Sequence, residues 1–206
     1  MKKVELNKYF DKQFKIALGN GYKKKGYVLL KELGGIYFSL GFGIVNNDNS
    51  FPSTFSYCIG CKKINIIFTT ILRGNEPFGC ICTGQLRLFD EGKYPVLEYD
   101  IKTEADAQKM VDEVSDYIIN TVLPEWEANP TIEYLEKKVN EKLGDSPNFS
   151  GLILSKLVGS SNYNKIKAHY QQVSKDWSEW DKQDFEKVIT FLDSHSQEEL
   201  LKIAEG

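Results

Sequence analysis

The sequence contains no hydrophobic run long enough to cross a bilayer. Its most apolar stretch, Ile64 to Leu72, is about half of the ~20 residues a span requires and has polar residues inside it. Residues Met1 to Lys8 begin with lysines but never reach the continuous apolar core of an export signal, so we expect a cytoplasmic chain with no membrane partner. Histidine is scarce, with only His169 and His195, and neither sits in a nucleophile setting such as G-x-S-x-G. The absence of G-x-G-x-x-G, Walker and H-E-x-x-H patterns removes the common nucleotide-binding and zinc-hydrolase readings. There is no internal repeat and no low-complexity tract. An excess of basic charge is also missing: 26 Lys and Arg face 29 Asp and Glu, giving a net charge of -3 that disfavours general attraction to nucleic acid or anionic membrane.

What is present is a globular composition, 41% hydrophobic and 27% charged over 206 residues, enough to bury a core without staples. Phe10, Phe14, Ala17 and Leu18 recur at helical spacing, and Asn20–Gly21 closes that helix. Tyr27 to Leu33 and Ile36 to Val45 read as a hairpin turned by Gly34–Gly35. Asn46 to Pro52 reads as an exposed loop before a strand at about Thr54 to Lys62. Ile64 to Leu72 fits either a strand or a helical face, and we read it as a short helix. Gly79 to Phe89 and Val96 to Ile101 complete a sheet of about five strands.

From Thr103 the period changes to that of helices. Thr103 caps a helix that Pro124 closes, Thr131 caps another that Gly144 stops, and apolar groups at Leu152–Leu157, Ile166–Val173 and Phe185–Leu192 mark three more before a capping box at Ser196 to Glu199. Strands first and helices afterwards make an α+β fold: an N-terminal helix, an antiparallel sheet, and a helical C-terminal half packed on it. We read residues 1–206 as one domain, with 145–206 as an optional helical subdomain.

Four cysteines, Cys58-x-x-Cys61 and Cys80-x-Cys82, are the ligand set of a structural zinc or an iron–sulfur cluster. Their spacing is against it, because cysteines within strands alternate faces and cannot all converge without a bulge. A redox pair at Cys58 and Cys61 would need a helix N-terminus to stabilise its thiolate, and the sequence places a strand there. We therefore expect buried thiols and neither metal nor cofactor. Lys23–Lys24–Lys25, near Tyr22 and Tyr27, could hold phosphates, but a lysine run at a helix-to-strand joint is ordinarily solvated. Glu98 and Asp100 alternate on one strand and Asp112, Glu113 and Asp116 share a helix, as any half-solvated sheet and helix would show. Among Trp126, Trp177 and Trp180, the last two are three residues apart, on one face if their segment is helical; packing is the commoner use, binding the alternative.

The helix that leads into Gly21-Tyr22-Lys23-Lys24-Lys25-Gly26, the long hairpin, and the helix ending Thr121-Val122-Leu123-Pro124-Glu125-Trp126-Glu127 together resemble bacterial families of uncharacterised α+β domains. The resemblance covers most of the chain and carries no assigned catalytic residues. It implies, by analogy at the level of fold, an immunity-type or accessory partner. The expectation is a non-catalytic protein-binding module that uses the solvated sheet face and the loop residues Asn47, Asp48, Asn49 and Phe51, with Trp177 and Trp180 as further contacts. Two alternatives stay open: an enzyme using carboxylates such as Glu98 and Asp100 in a sheet–helix cleft, and a nucleic-acid-binding protein. Oligomeric state is not legible.

Overall fold

A helix that must bury one stripe needs a surface to bury it on, and the first helix, α1 (Lys3–Leu18), finds it on a sheet. Leu6, Phe10, Phe14 and Leu18 are its buried side chains, so the stripe starts one turn earlier than Phe10, and Ala17 is exposed. The computed structural model describes residues 2–25, 28–47, 49–72 and 98–205. These fall into two compact units, one from Met1–Ile59 with Cys82–Pro130, the other from Gly60–Ile81 with Thr131–Gly206.

The first unit holds the antiparallel sheet, with strands in the order β1 (Lys23–Lys25), β2 (Val28–Leu33), β3 (Ile36–Ile44), β4 (Phe51–Gly60) and β5 (Glu98–Ile101). The β2–β3 hairpin has the expected two-residue turn, with Leu33 opposite Ile36 and Leu29 opposite Leu40. The predicted strand Gly79 to Phe89 lies outside the described residues. The lysine run instead supplies an edge strand, Lys23 opposite Leu30 and Lys25 opposite Val28, and lysines are one of the usual guards of an exposed edge.

Strand alternation sorts the sheet into two faces. Leu29, Ile36, Phe38, Leu40, Phe55 and Tyr57 are buried on the inner one. There Phe42 stacks on Phe14 at 4.4 Å between ring centroids and lies 5.7 Å from Phe10. Such pairs add about 0.5–1.5 kcal/mol each beyond the area they bury. Helix α3 (Glu104–Tyr117) starts at the predicted Thr103, whose hydroxyl accepts the Asp106 amide at 3.2 Å while Asp106 accepts the Thr103 amide at 2.8 Å.

Pro124 does not close this rod, contrary to expectation. One π turn, Ile118–Val122, in which the Leu123 amide donates to the Ile118 carbonyl, carries it into α4 (Leu123–Ala128) with Pro124 in the first turn. In that position proline needs no N–H donor, and the wider turn relieves the clash of its ring with the preceding turn.

The second unit is helical: α2 (Lys62–Leu72), α5 (Ile132–Val139), α6 (Phe149–Leu157), α7 (Tyr163–Val173), α8 (Glu179–Ser194) and α9 (Gln197–Ile203). Ile64 to Leu72 is thus helical, as read, with Ile64 and Ile67 buried. Helix α5 stops at Val139, ahead of Gly144, because Asn140 folds its amide onto the Glu136 carboxylate and the Gly151 carbonyl, both at 3.1 Å. Helix α6 packs against α2, α5, α7, α8 and α9. Its middle is accordingly apolar, with Leu152, Ile153, Leu154 and Leu157 all buried.

Gly34 adopts φ +56°, and a Cβ there would lie 2.2 Å from the Pro130 carbonyl oxygen. Both the turn and the close approach require glycine. Gly34→Ala is expected to cost at least about 2 kcal/mol in urea unfolding, whereas alanine at the open, ordinary-φ position Gly144 costs little.

Candidate functional site

The tip of the β3–β4 hairpin is tighter than the predicted loop. The Val45 amide donates to the Pro52 carbonyl at 2.9 Å and the Asn47 amide to the Ser50 carbonyl at 3.0 Å, so Asn47 and Ser50 form the last pair. Asn47 and Asn49 are exposed, and Asp48 lies outside the described residues. Phe51 is not a loop residue: it opens β4 opposite Ile101 and is half-buried, because β5 extends the ladder to it. Pro52 pairs with Asp100.

The same register defines the outer face of the sheet. A Cβ on Gly43 would meet Thr54 Oγ1 at 2.7 Å, and one on Gly41 would meet Ser56 Oγ and Val28 Cγ1, each at 3.3 Å. Val28, Leu30 and Tyr37 share this face and are half-buried, while Gly43, Thr54 and Ser56 are exposed. Val45, 60% exposed, ends it at the hairpin tip. Small side chains keep the middle of this face low, and the two glycines let the neighbouring strand's hydroxyls come close.

Asp100, one of the carboxylates proposed for an enzyme, is already engaged in an ion pair. Glu98 takes the backbone position opposite Thr54. Asp100 is held below the ordinary carboxylate value by the Ser50 hydroxyl and then by Lys102, whose ammonium is 2.9 Å away. A general acid needs the opposite shift. Glu113 accepts the Tyr99 hydroxyl at 3.0 Å; burial first, and this carboxylate second, push the Tyr99 phenol up.

Cys58 and Cys61 are buried and in no disulfide. Contrary to the strand expected across this site, β4 ends at Gly60 and α2 begins directly after Cys61, so a helix does start at the C-x-x-C. The Cys61 thiol is nevertheless pushed up by burial, with the Ile64 and Lys63 amides only partly opposing it. Cys80 and Cys82 lie outside the described residues, among which no group of three His, Cys, Asp or Glu is placed to hold a metal ion.

Trp177 and Trp180 do not share a helical face. Trp177 has extended backbone, φ -77° and ψ 162°, because Ser178 caps α8 only after it. Its ring packs between Tyr170, at 5.9 Å, and Phe185, at 5.4 Å, and its indole donates to the Asp145 carbonyl. Trp180, in the first turn of α8, is 75% exposed. His195 ends α8 by bonding the Phe191 carbonyl at 2.8 Å and stacking on the Phe191 ring at 4.2 Å. His169 bonds the Gly144 carbonyl at 3.0 Å.

Sequence reasoning missed a polar cavity of about 350 Å³ in the helical unit, lined by residues of the α6–α7 turn and by Asp193 and Gln197. Helix α6 ends in a Schellman motif: the Gly159 amide donates to the Lys156 carbonyl at 3.2 Å and the Ser160 amide to the Ser155 carbonyl at 2.8 Å. Gly159 takes φ +64°, and Gln197 Nε2 donates to the Leu157 carbonyl at 3.0 Å. Asp193 accepts the Tyr163 hydroxyl at 2.9 Å and pairs with Lys167. The signal in the sequence is Gly159-Ser160-Ser161-Asn162, a helix stop followed by hydroxyls, which reads equally well as an ordinary turn.

Comparison of the chain with protein families, characterised proteins and solved structures returns no match.

Burial raises the Asp193 carboxyl, but the Lys167 and Tyr163 bonds outweigh it and hold the group below its ordinary 3.8. Its stabilisation is therefore present above that value and lost as pH falls through the depressed one. With the carboxylate partly exposed, Asp193→Asn is expected to cost at most about 1 kcal/mol at neutral pH. In urea melts the gap between the two proteins should close under strongly acidic conditions.

Proposed function

We propose that this protein is a non-catalytic binding module, an immunity-type or regulatory partner of another folded protein in the bacterial cytoplasm. The observation that supports this reading is the outer face of the sheet. Val45 projects 60% exposed at its tip, Thr54 and Ser56 lie low along it, and the opposite face is held by the aromatic packing of α1. A face backed by a packed core loses little conformational entropy when a partner covers it, and low side chains allow close backbone approach. Asn47 and Asn49, exposed at the hairpin tip, supply donors and acceptors for the rim of such an interface.

Co-purification of the tagged chain from its own cytoplasm, followed by native mass spectrometry, should reveal a complex. Val45→Glu with Asn47→Ala is expected to weaken it by about tenfold or more. Unfolding midpoints should stay near the parent's, because neither side chain is buried. Undiminished binding by the double variant, and by Thr54→Arg, would place the contact elsewhere.

A further inference from the structure

Helix α1 ends one residue before the expected stop. Gly19, at φ +78°, takes the left-handed conformation that favours glycine, so Asn20–Gly21 is left over in the joint that leads to β1. Asn20 and Gly21 are both exposed. Among the described residues, neither the Asn20 side chain nor the Gly21 amide makes a hydrogen bond. The space around them is open. A Cβ built on Gly19 would meet nothing within 4 Å, and one on Gly21, at φ +106°, would first meet the flexible Lys31 side chain, at 3.7 Å.

These conditions suit one reaction, because the Asn20 side-chain carbonyl carbon and the Gly21 main-chain nitrogen are a single bond short of a five-membered ring. The Gly21 nitrogen loses its proton and attacks Asn20 Cγ; the Cγ–Nδ2 bond breaks, and ammonia leaves with that proton. The product is a cyclic imide. Water opens it at either carbonyl, leaving an aspartyl or an isoaspartyl residue.

The nitrogen must be unshielded by a side chain and free of a hydrogen bond, and no other asparagine in the chain is followed by glycine. Asn65 lies inside α2, where the following amides serve helix carbonyls. Asn129 precedes Pro130, which has no N–H. After Asn162, the Tyr163 amide is bound to the Ser160 carbonyl at 3.2 Å. Asn49 is exposed at the hairpin tip and comes nearest, but Ser50 after it carries a side chain and is paired with Asn47.

We propose that Asn20–Gly21 is a site of spontaneous deamidation, and that its isoaspartyl product loosens β1. Isoaspartate routes the main chain through its β-carbon, which adds a methylene to the joint and leaves a free carboxylate beside it. Strand β1 is three residues long and pairs with β2 alone among the described strands, so it has little with which to hold its register. The chemistry does not depend on the sheet-face interface.

The test is to age the purified whole chain in mildly alkaline buffer and digest samples with trypsin, which releases Asn20 in the peptide Ile16–Lys23. Two new forms of that peptide, each with the mass of an amide exchanged for an acid, are expected, the isoaspartyl form in excess. Their appearance should quicken as pH rises, since the Gly21 nitrogen attacks without its proton. It should also outpace deamidation at Asn49 by about tenfold or more, a barrier lower by ~1.4 kcal/mol. Asn20→Gln, which would have to close a six-membered ring, should leave the peptide unchanged over the same period while melting at the parent's temperature. Hydrogen exchange across Lys23–Lys25 should be faster in the aged parent than in the fresh one, and equal in aged and fresh Asn20→Gln. Earlier deamidation at Asn49, or an intact Asn20 in the folded chain when a synthetic Ile16–Lys23 peptide deamidates in the same buffer, would overturn the site. Unchanged exchange across β1 in the converted chain would overturn the loosening.

Discussion

The packing of Phe14 and Phe10 against Phe42 is the contact on which the arrangement of the first unit turns. It commits one face of the sheet to α1, and side-chain alternation then assigns every other position on β3 and its neighbours. A slip of one residue would bring Gly41 and Gly43 under α1 and put Leu40 and Phe42 in water, which the buried area forbids. The shallow outer face, with its glycines and hydroxyls, is the complement of that burial. The same constraint explains why Lys24 pairs with Asp11: opposite Leu29, it lies on the α1 side of the edge strand.

In the helical unit the corresponding element is α6, largely buried and wrapped by its neighbours. A helix so enclosed cannot leave its last carbonyls to water, and the Schellman turn at Gly159 with the Gln197 amide satisfies them. That arrangement brings the serines of the turn beside Asp193 and Lys156. The cavity is therefore a by-product of ending a buried helix.

Much of the scaffold could be read from residue order because its signals are local. Gly34–Gly35 can only turn, Thr103, Thr131 and Ser196 cap the helices that follow them, and the apolar spacing in α1 and α3 is unmistakable. The misreadings arose where a local rule met a longer-range partner. Proline normally ends a helix, but one π turn carried the rod past Pro124. Turn-rich composition made Phe51 and Pro52 look like loop, yet β5, almost fifty residues away in sequence, recruits them into a strand.

The sequence by itself determined the α+β class, the tight β2–β3 hairpin and the helix starts at Thr103, Thr131 and Ser196, since each depends on interactions spanning a few residues. Only the tertiary structure decided that the Trp177 indole bonds the Asp145 carbonyl, that the Ser50 hydroxyl reaches Asp100, and that Asp193 shares a cavity with Ser155 and Lys156. Those outcomes depend on which distant residues come into contact, and contact across tens of residues leaves no periodic trace in a single chain.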